Sequence, residues 1–424
     1  MSLSRRDFLA AVTAAAPAAV GMPFARGSEA HDFPRGKAEH CIFIWLGGGA
    51  AQIDTWDPKQ KGDAKAGKAG SYYDAIPTAV AGVEVCAPLP RCAAMLDRFA
   101  VLRTVHHGVI DEHARATNQV HTGRPTAGTI TYPSIGSAVS YTRGSINDRV
   151  PAYILIGYPN VTRGPGFLGA EAGYVYLTDT RVGPAGFARQ PEITDARQRR
   201  REALLDEMRS GGRDPERLPA IVADYDAASR QAFRMAGPDF MNLFNLSAEP
   251  GSLRDEYGGE FGQRLLLSRR LVEGGVRFVQ VTHGGWDHHA NLGTALETTA
   301  RQVDRPIAGL LGDLADRGLL EETLVIWGGE FGRTPHSQGA DGRDHNNKGF
   351  TLWMAGGGVK GGMAYGATDD YGYEAIEKRM HIHDWHATLL HLLGLDHERL
   401  TYPYAGRDFR LTDVHGAVAR EIIA

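Results

Sequence analysis

Carboxylates and imidazoles gather behind four short apolar runs of this chain, in a mixture suited to holding a divalent cation. After Leu46 come the glycines Gly47, Gly48 and Gly49, and then Asp54 and Asp57. After Val105 come His106, His107, Asp111, Glu112 and His113, with His121 further on. Val281 is followed by His283, Asp287, His288 and His289; Trp327 is followed by Glu330, Arg333, His336, Asp344 and His345. Imidazole nitrogen with carboxylate oxygen and no thiolate suits Zn or Mn, whereas a carboxylate-dominated set would suit Ca or Mg. None of the 17 histidines falls between His121 and His283. Other readings exist for single pieces. Asp54 and Asp57 could cap the turn before Pro58. His106 and His107 would face opposite sides if they continue a strand, and Asp344-His345 sits in a polar loop.

Positioning these groups on one rim requires a sheet. The β-branched and aromatic runs at 41–46, 100–105, 152–156, 276–283, 323–327 and 351–355 have the length and turn-rich flanks of buried strands. Between the fourth and fifth, Val303, Ile307, Leu310, Leu311 and Leu314 share one helical face over 292–320, giving a strand–helix–strand unit. Residues 190–272 are charged and helical in pattern and read as an inserted or peripheral layer; 383–393 is a further amphipathic helix before Gly394. The expected fold class is α/β, a mostly parallel central sheet with helices on both faces. Ligands of such sheets bind outside the carboxyl ends of the strands, which is where the acids and histidines fall.

The N-terminus carries an address. Ser4-Arg5-Arg6-Asp7-Phe8-Leu9 is a twin-arginine consensus, and the small-residue apolar stretch at 10–22 is too short for a membrane span. Residues 1–30 are therefore expected to be an export signal read by the twin-arginine machinery, with cleavage near Ala25. The remaining 31–424 would form a single domain working in the periplasm or outside the cell, with no stable membrane span. A net charge of -4 gives no reason to expect nucleic acid, and three cysteines, at 41, 86 and 92, form no disulfide framework. The glycine run has neither P-loop nor dinucleotide spacing, there is no Gly-x-Ser-x-Gly elbow, and no Cys-x-x-Cys-His supports a redox cofactor.

The ordered motifs Gly47-Gly48-Gly49 with Gln52, Asp54, Trp56 and Asp57, then Trp286-Asp287-x-His289, Gly329-Glu330-Phe331-Gly332-Arg333-Thr334-Pro335 and Arg343-Asp344-His345, resemble one bacterial family. It is catalogued as domain of unknown function 1501 and described as sulfatase-like, and the resemblance runs from about Cys41 to the C-terminus. It implies an alkaline phosphatase-like three-layer sandwich. Glu330 would stand where the superfamily has a metal-binding Asp, with Phe331 replacing the following histidine. Asp287 and His289 are similar in placement to ligands of a second metal, and His345 to a late metal histidine. His121-Thr122-Gly123-Arg124 resembles the end of the helix that follows the sulfatase nucleophile, which puts His113 near the nucleophile's position. The chain departs from sulfatases in lacking a formylglycine site, since Cys86-Ala87-Pro88-Leu89-Pro90 has proline where arginine belongs.

The expectation is then an exported metal-dependent hydrolase of anionic esters, phosphate or sulfate, acting on a small ester or a sulfated or phosphorylated glycan. Asp54, Asp287, His289, Glu330, Asp344 and His345 are the expected metal ligands. Arg333 would neutralise the substrate oxyanion through its planar fork, unless it is tied up in an ion pair with Glu330 or Asp344. His113 would act as nucleophile or general acid/base, with His283 a weaker candidate for the proton-transfer role. The alternative is a catalytically degenerate, metal-stabilised binding protein for sulfated glycans or a surface partner.

Overall fold

The computed structural model describes residues 36–424 except 64, 111, 127, 129, 191, 211–218 and 340. The export signal expected over 1–30, and Asp111, lie outside the described residues. The apolar runs pair into one nine-stranded sheet. In chain order its strands are β1 (His40–Leu46), β2 (Phe99–His106), β3 (Tyr153–Ile156), β4 (Val175–Leu177), β5 (Phe278–His283), β6 (Thr323–Gly329), β7 (Phe350–Ala355), β8 (Met363–Tyr365) and β9 (Met380–His381). They lie in the order β8-β2-β7-β6-β1-β5-β3-β4, with β9 also pairing to β2. The pairings are parallel except those of β7, which runs antiparallel to β2 and β6.

The alternation along β1 explains the layers. Ile42, Ile44 and Leu46 pack on one side with the apolar faces of α5 (Glu260–Glu273) and α6 (Leu292–Asp316). Cys41, Phe43 and Trp45 pack on the other with Ile135 and Val139 of α2 (Ile135–Arg143) and Trp385 and Leu389 of α7 (Ile382–Leu392). A strand buried on both faces must be apolar throughout, and each such side chain contributes about 1.5–3 kcal/mol when fully buried. The helices α3 (Asp195–Ser210) and α4 (Ala220–Met235) are the charged part of 190–272, with many exposed residues. Helix α5 lies in the same segment, yet it buries Leu265, Leu266, Leu267, Leu271 and Val272 in the core. Among the described residues no helix is long and apolar enough to cross a membrane.

Register aligns the strand exits. Leu46 stands beside His283 of β5 on one side and Gly329 of β6 on the other. Three chain segments therefore leave the sheet at one level, and the loops carrying Gly48, Asp287 and Glu330 start together. Helix α1 (His113–Thr122) follows β2 and is started by Glu112, whose carboxylate accepts from the N–H groups of Ala114 and Arg115, both at 2.8 Å. This cap holds His113 on the first turn, above the same rim.

Candidate metal centre

The glycine run brings its loop against the Asp287 segment. At Gly48, with φ of +117°, a β-carbon would stand 2.5 Å from the Asp287 nitrogen, so no larger residue fits. The Gly48 N–H donates to Glu330 Oε1 at 2.9 Å, joining the β1 and β6 exits. Backbone approach, not anion binding, accounts for this glycine.

Above that junction the ring nitrogens of His113, His289 and His345 and a carboxylate oxygen of Asp287 all lie within 4.8 Å of one another. Each imidazole has an oxygen on Nδ1. His113 donates to Glu330 Oε1 at 2.8 Å, His289 to Gln338 Oε1 at 2.5 Å and His345 to the Ile110 carbonyl at 3.2 Å. An acceptor on Nδ1 fixes the tautomer of the neutral ring and puts the lone pair on Nε2. All three Nε2 atoms face one carboxylate: His289 lies 2.9 Å and His345 3.7 Å from Asp287 Oδ1, and His113 lies 3.4 Å from Oδ2. Phe331 packs against the rings of both His113 and His345, giving the centre an apolar wall.

Charge balance follows from the same contacts. The hydrogen bond to Glu330, together with the charges of Glu330 and Asp287, raises the His113 pKa against the opposing effect of burial. Burial and the charge of Arg333 lower that of His345, which keeps it neutral. Burial would raise the Asp287 carboxyl, but Arg333, His113 and His289 hold it below the ordinary range. Two buried polar atoms here have no hydrogen-bond partner, Glu330 Oε2 and His345 Nε2. Such orphans cost about 1–3 kcal/mol each unless something satisfies them. Imidazole nitrogens with held Nδ1 protons, a carboxylate and an orphaned Nε2 at one point fit a divalent cation.

Several expected site residues sit elsewhere or do something else. Asp54 is fully buried 2.6 Å from Arg343 Nε and accepts from Tyr72 N, so its oxygens are committed to an internal ion pair and are not ligands. Asp344 is exposed and caps its own loop by accepting from His345 N at 2.8 Å; it is no part of the cluster. His283 turns away into the layer of α5, where Phe261 packs on it and Trp286 Nε1 donates to its Nδ1 at 3.0 Å. Burial lowers its pKa to about 4, which keeps it neutral at neutral pH. Glu330 is adjacent, bonded to His113 through one oxygen. His113, expected as a proton carrier, stands among the candidate ligands.

Arg333 is the largest change. Its guanidinium is fully buried and its five donors are taken: Nε by Gly49 O, one terminal nitrogen by Arg343 O and His289 Nε2, the other by Gly48 O and Asp287 Oδ1. Gln52 anchors its backbone, accepting from Arg333 N at 2.7 Å and donating to its carbonyl at 2.7 Å. A guanidinium with no donor left orients Asp287 and the glycine loop and cannot also receive a substrate oxyanion.

The model of a family described as protein of unknown function (DUF1501) matches residues 38–423. The chain belongs to that family. No curated protein sequence matches it. Solved structures similar to this DUF1501 chain include the lipoteichoic acid synthase LtaP from Listeria monocytogenes, at 9% identity over 86% of this chain and 74% of that one, TM-score 0.41. The sulfatase PsFucS1 from Pseudoalteromonas sp. is 14% identical over 85% of this chain and 68% of that one, TM-score 0.36. An alkaline phosphatase from the Antarctic bacterium TAB5 is 11% identical over 76% of this chain and 92% of that one, TM-score 0.33.

Two supports of this DUF1501 centre carry no sequence signal. Gln338, which holds His289, lies in a polar loop that reads as solvated. Ile110 contributes only its carbonyl, which no side-chain pattern reports.

Proposed function

We propose that the chain is an exported, metal-dependent hydrolase of anionic esters, phosphate or sulfate, related through its motifs to the alkaline phosphatase superfamily. The observation that carries this is the convergence of three Nε2 lone pairs on the Asp287 carboxylate, each with its Nδ1 proton held by an oxygen. His113, His289, His345 and Asp287 would hold the cation, and three imidazoles with one carboxylate favour Zn over Ca or Mg. Bound there, it supplies Lewis-acid polarisation of an ester oxygen.

The chain's own residues do the rest. Glu330 keeps the His113 Nδ1 proton in place, and Arg333 pins Asp287 from beneath. The Phe331 ring excludes water from one side. The Asp287 side chain is 45% exposed and that of His289 40%, so a small ester reaches the centre from solvent. Thiol chemistry plays no part in this reading, because Cys41, Cys86 and Cys92 are buried and burial pushes their thiols well above the ordinary range. The leader motif supports work outside the cytoplasm.

A second reading, a metal-stabilised binding protein for sulfated glycans or a surface partner, draws on the fully committed Arg333. Metal analysis of the purified protein, with a screen of chromogenic phosphate and sulfate esters, separates the two. The hydrolase reading expects bound metal and turnover, both lost in His289→Ala. A metal-bearing protein inert on every mono- and diester, with His289→Ala changing stability alone, would establish the second reading.

A further inference from the structure

With Arg333 committed, the substrate's negative charge needs another receiver, and one buried arginine is free for it. Among the described residues five arginines are less than 9% exposed: Arg124, Arg163, Arg269, Arg333 and Arg343. Four have a carboxylate within reach: Arg124 with Asp413 at 2.7 Å, Arg269 with Asp313 at 2.8 Å, Arg333 with Asp287, and Arg343 with Asp54 at 2.6 Å. Among the described residues Arg163 has no ion pair. Its Nε is buried with no acceptor, and its one side-chain hydrogen bond is a long one, 3.4 Å from Nη1 to the Tyr158 carbonyl.

Unpaired buried charge is rare because moving an ion out of water costs several kcal/mol. A fold keeps such a group when something that arrives later pairs with it, or when the surrounding structure needs its bulk. The setting of Arg163 favours the first. It sits on the turn Val161–Arg163, beyond the carboxyl end of β3, the neighbour of the strand that leads to Asp287 and His289. Helix α1, which carries His113, packs on that turn. The turn is rigid: Asn160 Oδ1 accepts from Thr162 N at 2.9 Å, and Ser134 Oγ donates to the Arg163 carbonyl at 2.7 Å. Burial lowers the Arg163 pKa; Tyr153, Tyr174 and, last, the Glu330 carboxylate oppose this.

We infer that Arg163 receives the negatively charged oxygens of a tetrahedral oxyanion group at this centre, an assignment that rests on the function proposed above. Nε and Nη2, which make no hydrogen bond among the described residues, are the adjacent donors on one edge of the planar guanidinium, the geometry that accepts two oxygens of a phosphate or sulfate.

The test is calorimetric titration of inorganic phosphate and inorganic sulfate into the metal-loaded full chain and its Arg163→Met and Arg163→Lys variants. Metal content and Tm are measured on each. The assignment expects Arg163→Met to weaken binding of at least one anion about tenfold or more, with Arg163→Lys in between. It also expects unchanged metal content and a Tm equal to or above wild type, because methionine removes an unpaired buried charge. Wild type that binds neither anion overturns it, as does Arg163→Met binding both as tightly as wild type. A variant that loses Tm and metal together overturns it too, by making the residue a structural prop. Ester turnover keeps the two readings apart. Phosphate binding through Arg163 with no ester hydrolysed defeats the hydrolase and leaves Arg163 as an anion site. Ester hydrolysis with kcat and KM untouched by Arg163→Met defeats the Arg163 assignment alone.

Discussion

Two arginine–carboxylate pairs lie side by side in the loops above the sheet, Arg343–Asp54 and Arg333–Asp287, and they differ in what surrounds the acid. Asp54 is wholly enclosed; both its oxygens lie within 3.2 Å of the Arg343 guanidinium, and Tyr72 N takes a further lone pair at 2.6 Å. Arg343 spends its other donors on the carbonyls of Gly70, Thr334 and Pro335. Asp287 has the same kind of partner, yet its side chain is 45% exposed and three imidazole Nε2 atoms face it. One pair closes a loop junction. The other leaves an anchored carboxylate with lone pairs to spare. A carboxylate that is pinned but not saturated can accept a cation, whereas a saturated one can only hold the fold.

The largest effects should separate the two. Asp54→Ala strands the buried Arg343 charge and is expected to cost about 3–5 kcal/mol of stability, read by denaturant unfolding. The folded fraction keeps its metal content. Asp287→Ala should do the reverse, dropping metal content to background with a smaller loss of stability, since Arg333 keeps four other acceptors. If both variants behave alike, the distinction drawn here between a closed pair and an open one fails.

Acid probes the enclosed interior next. His121 and His386 are fully buried, and burial lowers the pKa of each to about 3. Unfolded histidine takes up a proton below about pH 6.5 while these two do not, so stability is full above that pH and falls as pH drops from 6.5 toward 3. By pH 5 the loss should approach about 2 kcal/mol for each residue. Urea melts across that range check it; a stability flat from pH 7 to pH 5 would refute it.

The smallest effect concerns the rim of the open pair. Glu330→Gln removes the charge behind His113 while keeping an oxygen for its Nδ1 proton. Metal affinity should fall about 10- to 100-fold, measured by chelator competition. No change would mean that Glu330 only ties the β1 and β6 exits together through Gly48 N.

How much of this was legible in the chain varies by residue. The six apolar runs read as strands are strands, because a strand buried on both faces must be apolar and β-branched along its whole length. The edge strands Val175–Leu177, Met363–Tyr365 and Met380–His381 are too short to carry a period. Asp287, His289 and His345 stand out by residue type at strand ends, and the structure brings the three together. Asp54 carries the same signal and lies in an internal ion pair, since a sequence does not say whether a carboxylate will meet an arginine or an ion. His283 failed for a related reason: it ends β5, and only the packing of Phe261 and Trp286 around it shows that it faces the helical layer.

The chain alone determined which kinds of atoms reach the rim, because strand period and strand ends are local properties, set by side-chain chemistry over a few residues. Only the tertiary structure decided which of those atoms stay available. That depends on partners 200 to 300 positions away, such as Glu330 on His113, Gly48 on Arg333, and Arg343 on Asp54. An arginine fork with every donor taken and one with donors to spare have the same letter. The difference between Arg333 and Arg163 lies in whether other groups have already taken their donors.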